Sequence, residues 1–455
     1  MDAKRGDAAL GRSYALRSKV GTWIDGARDV SLTLAGWRLS RRLMREAPFY
    51  SQKRLEALQL RCLRSLFDTS YRYVPYYQKL FWNLNFDPYR INSVADLQRL
   101  PILAKETLRE RLADFCSMKE LRQAIRLHTS GTTGTPLNTY TSAQQWAVEQ
   151  AAIWRHWSWA GYRFRDRMAI VRSYSPKVGA PTAKLDRLRN WLYLSPYHLS
   201  EEICRRFLQL LVEWRPRYLR GYPSSLYLLA RAARHEGISL PSLRAAFTAS
   251  ESLLEHYRAE IEGSFGVPVF DHYGQAEITA MLHECERHEG MHVLSDYAYV
   301  EFLPAEQAGL HRMIATNLYN SAMPLIRYDT GDLVELAKKP CSCERNFPLV
   351  RRIIGRADQL LLHRDGFFIP SVNIYTYFAK QDGVLRFQII QRDRHDVEVR
   401  IFPRAGVNKQ KLLEMIRQEM TLRFGGEVRV IPTEEFEQSG EGKCVPILQR
   451  ARVDT

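Results

Sequence analysis

The chain has 455 residues, 45% hydrophobic and 25% charged, which excludes an intrinsically disordered protein and fits a globular one of two or three domains. Its 66 Lys and Arg against 50 Asp and Glu leave a net charge of +16, a surplus that favours anionic ligands or an acidic membrane surface. No apolar run reaches bilayer-spanning length and no apolar signal core opens the chain, so a cytoplasmic enzyme is the expectation.

Residues 1–50 read as a basic extension: Lys4, Arg5, Arg12, Arg17, Lys19, Arg28, Arg38, Arg41, Arg42 and Arg45 alternate with Trp23, Trp37 and Leu43. A solvated face is the favoured reading, with peripheral membrane docking as its competitor. No nucleic-acid-reading motif is present, so the charge is assigned to attraction of small anionic ligands and acidic substrates. Next, Leu55, Leu58, Leu63 and Leu66 at helical spacing predict a helix over Ser51–Asp68, followed by a loop at Val74-Pro75-Tyr76-Tyr77. After Leu100-Pro101-Ile102-Leu103 a charged helix is expected near Lys105.

The run His128-Thr129-Ser130-Gly131-Thr132-Thr133-Gly134-Thr135-Pro136 then interrupts the regular patterns. Its glycines let the backbone turn N–H groups toward an anion, and its hydroxyls add donors without bulk. It lacks the Gly-Lys-Ser/Thr ending of a Walker A loop, yet it is a good phosphate cradle. Beyond it, strands at Met168–Val171, Arg217–Leu219, Ala245–Thr248 and Val267–Phe270 alternate with helices at Glu202–Val212, Ser224–Arg234 and Glu255–Ser264. Such alternation predicts an α/β fold with a mainly parallel sheet and a ligand site at the carboxyl ends of its strands. From Asp296 the texture becomes strand after strand (Ala298–Leu303, Met313–Leu318), as in a β-rich subdomain. The tail carries a hairpin (Leu385–Gln391, Val397–Phe402), an amphipathic helix (Lys409–Leu422) and a strand (Val428–Ile431), a small α+β module. The expected division is 51–357 for a large domain and 358–455 for a small C-terminal one.

Asp271-His272-Tyr273-Gly274-Gln275-Ala276-Glu277 follows a predicted strand and ends in a carboxylate suited to Mg²⁺. Asp332, in Pro324-Leu325-Ile326-Arg327-Tyr328-Asp329-Thr330-Gly331-Asp332-Leu333, suits a ribose diol, and Gly355-Arg356-Ala357-Asp358 offers a cation at a domain junction. Gly442-Lys443 places a lysine near the end. In this order and spacing the blocks resemble the adenylate-forming superfamily of acyl-CoA synthetases, over about Leu55 to Arg450. Val74-Pro75-Tyr76-Tyr77, Leu100–Lys105, Gly221-Tyr222-Pro223-Ser224-Ser225 and His272–Glu277 make the chain similar to the phenylacetate–CoA ligase family and its CapK-like capsule-biosynthesis branch.

The resemblance implies that a carboxylic acid attacks the α-phosphate of ATP to give acyl-AMP and pyrophosphate, after which CoA displaces AMP. It assigns Thr129, Ser130, Gly131, Thr132, Thr133 and Gly134 to pyrophosphate and Ala249, Ser250 and Glu251 to the adenine. Tyr273, Gly274 and Gln275 border the adenine and acyl group, with Tyr222, Pro223 and Ser224 on the substrate side. Glu277 holds Mg²⁺, and Asp332 takes the ribose with Arg356 nearby. Lys443 stabilises the adenylation transition state, and Asp358 is the hinge about which the lid turns. Two departures stand out: Thr135 replaces a basic residue of the loop, and Cys444-Val445-Pro446 follows Lys443 in place of aromatic and basic residues. An amine or sugar acceptor in polysaccharide or specialised metabolism, an AMP-transferring nucleotidyltransferase, and a non-catalytic scaffold at a membrane are the alternatives. Acyl substrate and oligomeric state stay open.

Among seven cysteines, an odd number that argues against a disulfide framework, Cys62, Cys116, Cys204 and Cys444 read as inert. Cys285, Cys341 and Cys343 with His292 make a Cys₃His set suited to structural Zn²⁺, with His288 as a competing fourth ligand.

Overall fold

A computed structural model of the chain describes residues 45–128, 138–174, 176, 181–196, 199, 201–306, 308–356, 361–365, 368–369, 374, 377–378, 381–437 and 445–450. Most of the basic extension, the glycine-rich run from Thr129, Asp358 and Lys443 lie outside these residues. The expected first helix runs as α1 (Gln52–Tyr73), burying Leu55, Leu58, Leu63 and Leu66 on one face. At Val74–Tyr77 a helix start replaces the expected loop. Val74 is extended and Pro75 opens α2 (Pro75–Asn83), a position at which its missing amide N–H leaves no helix bond unmade. The Tyr77 hydroxyl accepts from the Ile326 amide at 3.0 Å and donates to the Pro324 carbonyl at 3.1 Å. This pair stitches the N-terminal helices to the segment that leads into Asp332. The charged helix is α3 (Lys105–Glu110).

Strands β1 (Ile125–His128) and β2 (Asn138–Thr141) pair antiparallel, with His128 opposite Asn138, so they flank the phosphate-cradle run on both sides. Ser142 caps α4 (Ala143–Trp159) by accepting from the Gln145 amide. The chain then alternates through β3 (Met168–Val171), β4 (Ala183–Asp186), β5 (Trp191–Leu194), α5 (Glu201–Trp214), β6 (Tyr218–Gly221), α6 (Pro223–His235), β7 (Ala245–Ala249), α7 (Glu255–Phe265) and β8 (Val269–Gly274). After this come β9 (Met281–Glu284), β10 (Met291–Val293), β11 (Ala298–Pro304), β12 (His311–Asn317), β13 (Tyr328–Leu336) and β14 (Leu349–Arg356).

Twelve of these strands form one sheet in the order β11-β12-β13-β14-β10-β9-β8-β7-β6-β3-β5-β4. β5, β3, β6, β7 and β8 run parallel, and the β8–β9 pairing turns the sheet antiparallel. The expected β-rich subdomain is therefore continuous with the parallel sheet, because β9 takes up the free edge of β8. Helix α4 covers one face of the parallel half through Val148, Ala152 and Trp157 against Met168, Tyr218 and Phe247. Helices α5, α6 and α7 cover the other through Phe207, Leu211, Leu226, Leu229 and Ile261. Burial on both faces is why these strands read as short apolar runs.

The C-terminal part has a two-stranded ladder, β15 (Leu361–Leu362) with β16 (Phe368–Ile369), and a second sheet. That sheet joins β17 (Val384–Gln391), β18 (Val397–Pro403), β19 (Arg429–Pro432) and β20 (Ile447–Gln449) in the order β19-β18-β17-β20. Helix α8 (Lys409–Phe424) lays Leu412, Ile416, Met420 and Phe424 on it, giving this part a core of its own. Among the described residues no helix is long and apolar enough to cross a membrane.

Charges inside the large sheet's cover are matched in pairs. Arg155 of α4 grips Asp296 with two bonds of 2.6 and 3.1 Å, and Arg327 grips Glu301 with two of 3.0 Å. Glu149, which accepts from the Tyr297 hydroxyl, has no cation among the described residues to offset its burial, and burial pushes its carboxyl up to about 7. A raised carboxyl favours the folded state while protonated and disfavours it as pH climbs from the unfolded value near 4.5 through 7. Glu149→Gln is therefore expected to stabilise the chain at pH 8 by on the order of 3 kcal/mol, with the gain vanishing near pH 4. Denaturant unfolding of both proteins across this range checks it.

Candidate active site

The conserved geometry of a parallel sheet brings loop residues together at its carboxyl edge, and here β6, β7 and β8 end side by side. β6 ends at Gly221, where a Cβ would stand 2.8 Å from Leu226 and 3.1 Å from the Val171 carbonyl, so only glycine lets α6 start so close. Tyr222 is fully buried with its hydroxyl 3.1 Å from Ser173, and Pro223 sits in the first turn of α6. The Ser224 amide donates to the Glu251 carboxylate at 3.1 Å, an acidic cap on the positive end of α6. Ser250 takes a left-handed conformation at φ 75 and accepts from Arg172 at 3.2 Å, while Ala249 pairs with His272 in the sheet. Tyr222, Pro223, Ser224, Ala249, Ser250 and Glu251 thus share one ridge.

Asp271 to Gly274 belong to β8 itself and do not follow a finished strand as expected; the strand continues because β9 pairs with it from Gly274 back to His272. The Tyr273 hydroxyl donates to Asp332 at 2.5 Å, so the aromatic side chain and the expected ribose carboxylate touch. Asp332 stands opposite Arg356 in the β13–β14 ladder. Gln275 buries an amide nitrogen that finds no partner among the described residues. The Thr139 hydroxyl donates to the Ala276 carbonyl at 3.0 Å, which seats the β1–β2 hairpin on this turn.

Glu277 is 3% exposed. Its carboxylate lies 3.2 Å from the Lys105 ammonium and accepts from the Tyr328 hydroxyl at 3.0 Å. A cation already stands where the sequence pointed to Mg²⁺. Lys105 and Tyr328 went unassigned in the sequence because each lies in a different segment, and only the fold brings them to Glu277. Lys105 closes the Leu100–Lys105 motif, the one signal that marked it. The structure joins Tyr273 to Asp332 and Glu277 to Lys105 and Tyr328, and Thr139 ties the β1–β2 hairpin to the turn at Ala276, while Thr129–Gly134, Asp358 and Lys443 fall outside the described residues.

Residues 361–443 match the family described as the CapK C-terminal domain. The chain is 28% identical over 353 residues to a phenylacetate–coenzyme A ligase of Thermus thermophilus, covering 75% of this chain and 79% of that one. It is 25% identical over 374 residues to Protein CapK of Staphylococcus aureus, covering 79% and 82%. It is a homologue of the phenylacetate–CoA ligases and CapK. Its fold is that of the 2-hydroxyisobutyryl-CoA ligase crystallised in the postadenylation state with an acyl-AMP, at a TM-score of 0.69, with 20% identity and coverage of 88% and 90%.

This ligase homologue carries a second constellation. Cys285, His292, Cys341 and Cys343 present ligand atoms within 4.8 Å of one another. The Cys285 and Cys341 sulfurs are 3.6 Å apart, and Cys343 Sγ is 3.2 Å from His292 Nε2. The β9–β10 hairpin supplies the first two ligands and the β13–β14 loop the others. Gly290 makes this approach possible, since a Cβ there would stand 2.5 Å from the Val350 carbonyl. Glu289 clasps the two loops by accepting from the Ser342 amide and hydroxyl at 2.8 and 2.7 Å. Burial pushes the Cys343 thiol up, but the Arg345 backbone and side chain outweigh it and hold the thiol below its usual range. His288, the competing ligand, faces Glu284 at 3.4 Å instead.

Proposed function

We propose that the chain is an ATP-dependent carboxylate–CoA ligase working through an acyl-AMP intermediate. The observation that carries this reading is the Tyr273–Asp332 contact, which joins the base-and-acyl strand to the ribose carboxylate directly beneath the β1–β2 hairpin. The relatives named phenylacetate–CoA ligase support the reaction type. An anion must here approach a polyanion, so the site has to neutralise and position and needs no nucleophilic side chain. Backbone amides of Thr129–Gly134 would hold the pyrophosphate, Asp332 the ribose hydroxyls, and the Gln275 amide the substrate carboxylate or the nucleotide. Arg356 and Lys443 would add positive charge at the α-phosphate once the 358–455 lid closes on the 51–357 domain about Asp358. Mg²⁺, if bound through Glu277, would screen the phosphates.

Zn²⁺ is proposed for the Cys285–His292–Cys341–Cys343 cluster, whose three thiols and one imidazole are the donor set of a closed tetrahedral structural site. Exchange of labelled pyrophosphate into ATP across a panel of acids tests the first half-reaction. Consumption of CoA thiol by the acid that exchanges is the expected second result. Exchange without thiol loss shifts the assignment to another acceptor, and no exchange with any acid removes the ligase reading.

A further inference from the structure

A cavity of about 120 Å³ lies between the cover of the large sheet and the C-terminal part. Helices α6 and α7 wall one side with Arg231, Arg234 and Glu260. Asp382, Arg386 of β17 and Arg404, which follows β18, wall the other. Arg231 and Arg234 come eight and eleven residues after Pro223, where α6 starts at the carboxyl edge of the sheet. Their backbones therefore stand about 12–16 Å down the helix from that edge, so the cavity is a place apart from the candidate active site.

Its charges do not balance. Among the described residues four guanidiniums line it against two carboxylates, and one of these is already spent, since Glu260 holds Arg234 at 2.7 Å. Arg231 and Arg386 make their contacts with neutral groups: Arg231 gives an N–H to the Tyr227 hydroxyl at 2.9 Å, and Arg386 lies 5.3 Å over the Phe436 ring. His256, on the same wall, is held neutral at pH 7 by burial and then by Arg231. Like charges contributed by two separate cores repel, and the repulsion grows as their contact excludes water. An anion between them reverses its sign. The walls are stiff enough to hold one: Tyr227 stacks on Tyr257 at 4.4 Å on one side, and Phe378 on Phe387 at 4.0 Å on the other. An engineered cavity of about 150 Å³ takes benzene, so this one has room for a phosphate-sized ion and too little for a nucleotide. A metal cation has the wrong sign, and an apolar guest would strip water from the guanidiniums without replacing it.

We propose that this cavity is a binding site for a phosphate-type oxyanion, which accepts hydrogen bonds from arginines of both walls and so ties the C-terminal part to the cover of the large sheet. Guanidinium suits the task because its planar fork of donors matches two oxygens of a tetrahedral anion at once. The ion is bound and released unchanged. None of the residues lining the cavity is among those assigned to ATP or the acid, so the site stands independently of the ligase reading.

Inorganic phosphate and methyl phosphate should be titrated calorimetrically onto the full chain, against chloride at matched ionic strength. A non-hydrolysable ATP analogue at saturation keeps the phosphate cradle filled. Saturable binding is expected, with Kd raised about ten- to a hundredfold in Arg386→Gln and in Arg231→Gln, one from each wall. Arg386→Lys, which keeps the charge, should lose less. Arg417→Gln, which removes an exposed arginine of α8 paired with Glu414, should bind as the parent does. Each pocket variant sheds one of several like charges and should melt in chloride no lower than the parent, which separates lost binding from lost folding. Should Arg386→Gln fail to fold, Arg231→Gln on the opposite wall decides alone. Tighter binding of phosphate assigns a free ion and tighter binding of methyl phosphate the end of an ester; saturable binding of either supports the site. Binding no stronger than that of chloride, or unchanged in the pocket variants, overturns the inference, whatever pyrophosphate exchange shows of the ligase.

Discussion

Cys341→Ser is expected to purify without zinc and to unfold roughly 5–10 °C below the parent chain. Without an ion, three thiols lie packed against one another, and the Cys285 and Cys341 sulfurs at 3.6 Å cannot both ionise cheaply. A bound divalent cation turns that repulsion into four bonds that join the β9–β10 hairpin to the β13–β14 loop. Serine removes one soft ligand and leaves the rest of the fold unstrained, so the loss reads directly on the metal. His292→Ala should behave alike, whereas His288→Ala should keep its zinc, since His288 faces Glu284. Thiolate ligands must lose protons to bind, so retention in the parent should fall as the buffer is acidified. Elemental analysis of the parent giving about one equivalent supports the assignment; a value under about 0.2, or a Cys341→Ser protein that melts with the parent, removes it.

Much of this architecture is legible in the sequence wherever the signal is local. The β3 strand is found at Met168–Val171 as expected, and the α5, α6 and α7 helices fall within a few residues, because each amphipathic period and its cap sit in one short window. The start of α2 was hidden by Pro75, which reads as a loop breaker although it is also a favoured first helical residue. The union of the parallel and antiparallel halves was hidden for another reason. Nothing in Val269–Gly274 alone tells that the edge of β8 is taken by β9 and not left to solvent. The site shows the same division. Tyr273, Glu277 and Asp332 stand out through their motifs, but Lys105 and Tyr328 become meaningful only through long-range packing.

Glu277→Gln is expected to lower the adenylation rate by about 10²–10³-fold and, separately, to destabilise the fold by about 3–5 kcal/mol. The stability effect follows from burial: Glu277 is 3% and Lys105 17% exposed, so the amide leaves an ammonium ion with no counter-charge among the described residues in a place poor in water. The Tyr328 hydroxyl can still donate to the glutamine carbonyl. The rate effect follows from the position of the carboxylate, one turn beyond Gln275 and beneath the hairpin that flanks the phosphate cradle. The two effects are separable by the Lys105→Met/Glu277→Gln double variant. Removing both charges should return most of the lost stability, since a neutral pair carries no desolvation debt, yet it should leave adenylation as slow as in Glu277→Gln. If the double variant regains the rate as well, Glu277 serves only to hold Lys105 in place, and the magnesium role assigned to it falls. Should Lys105→Met alone slow pyrophosphate exchange while the melting point holds, the ammonium itself reaches the phosphates and the carboxylate positions it.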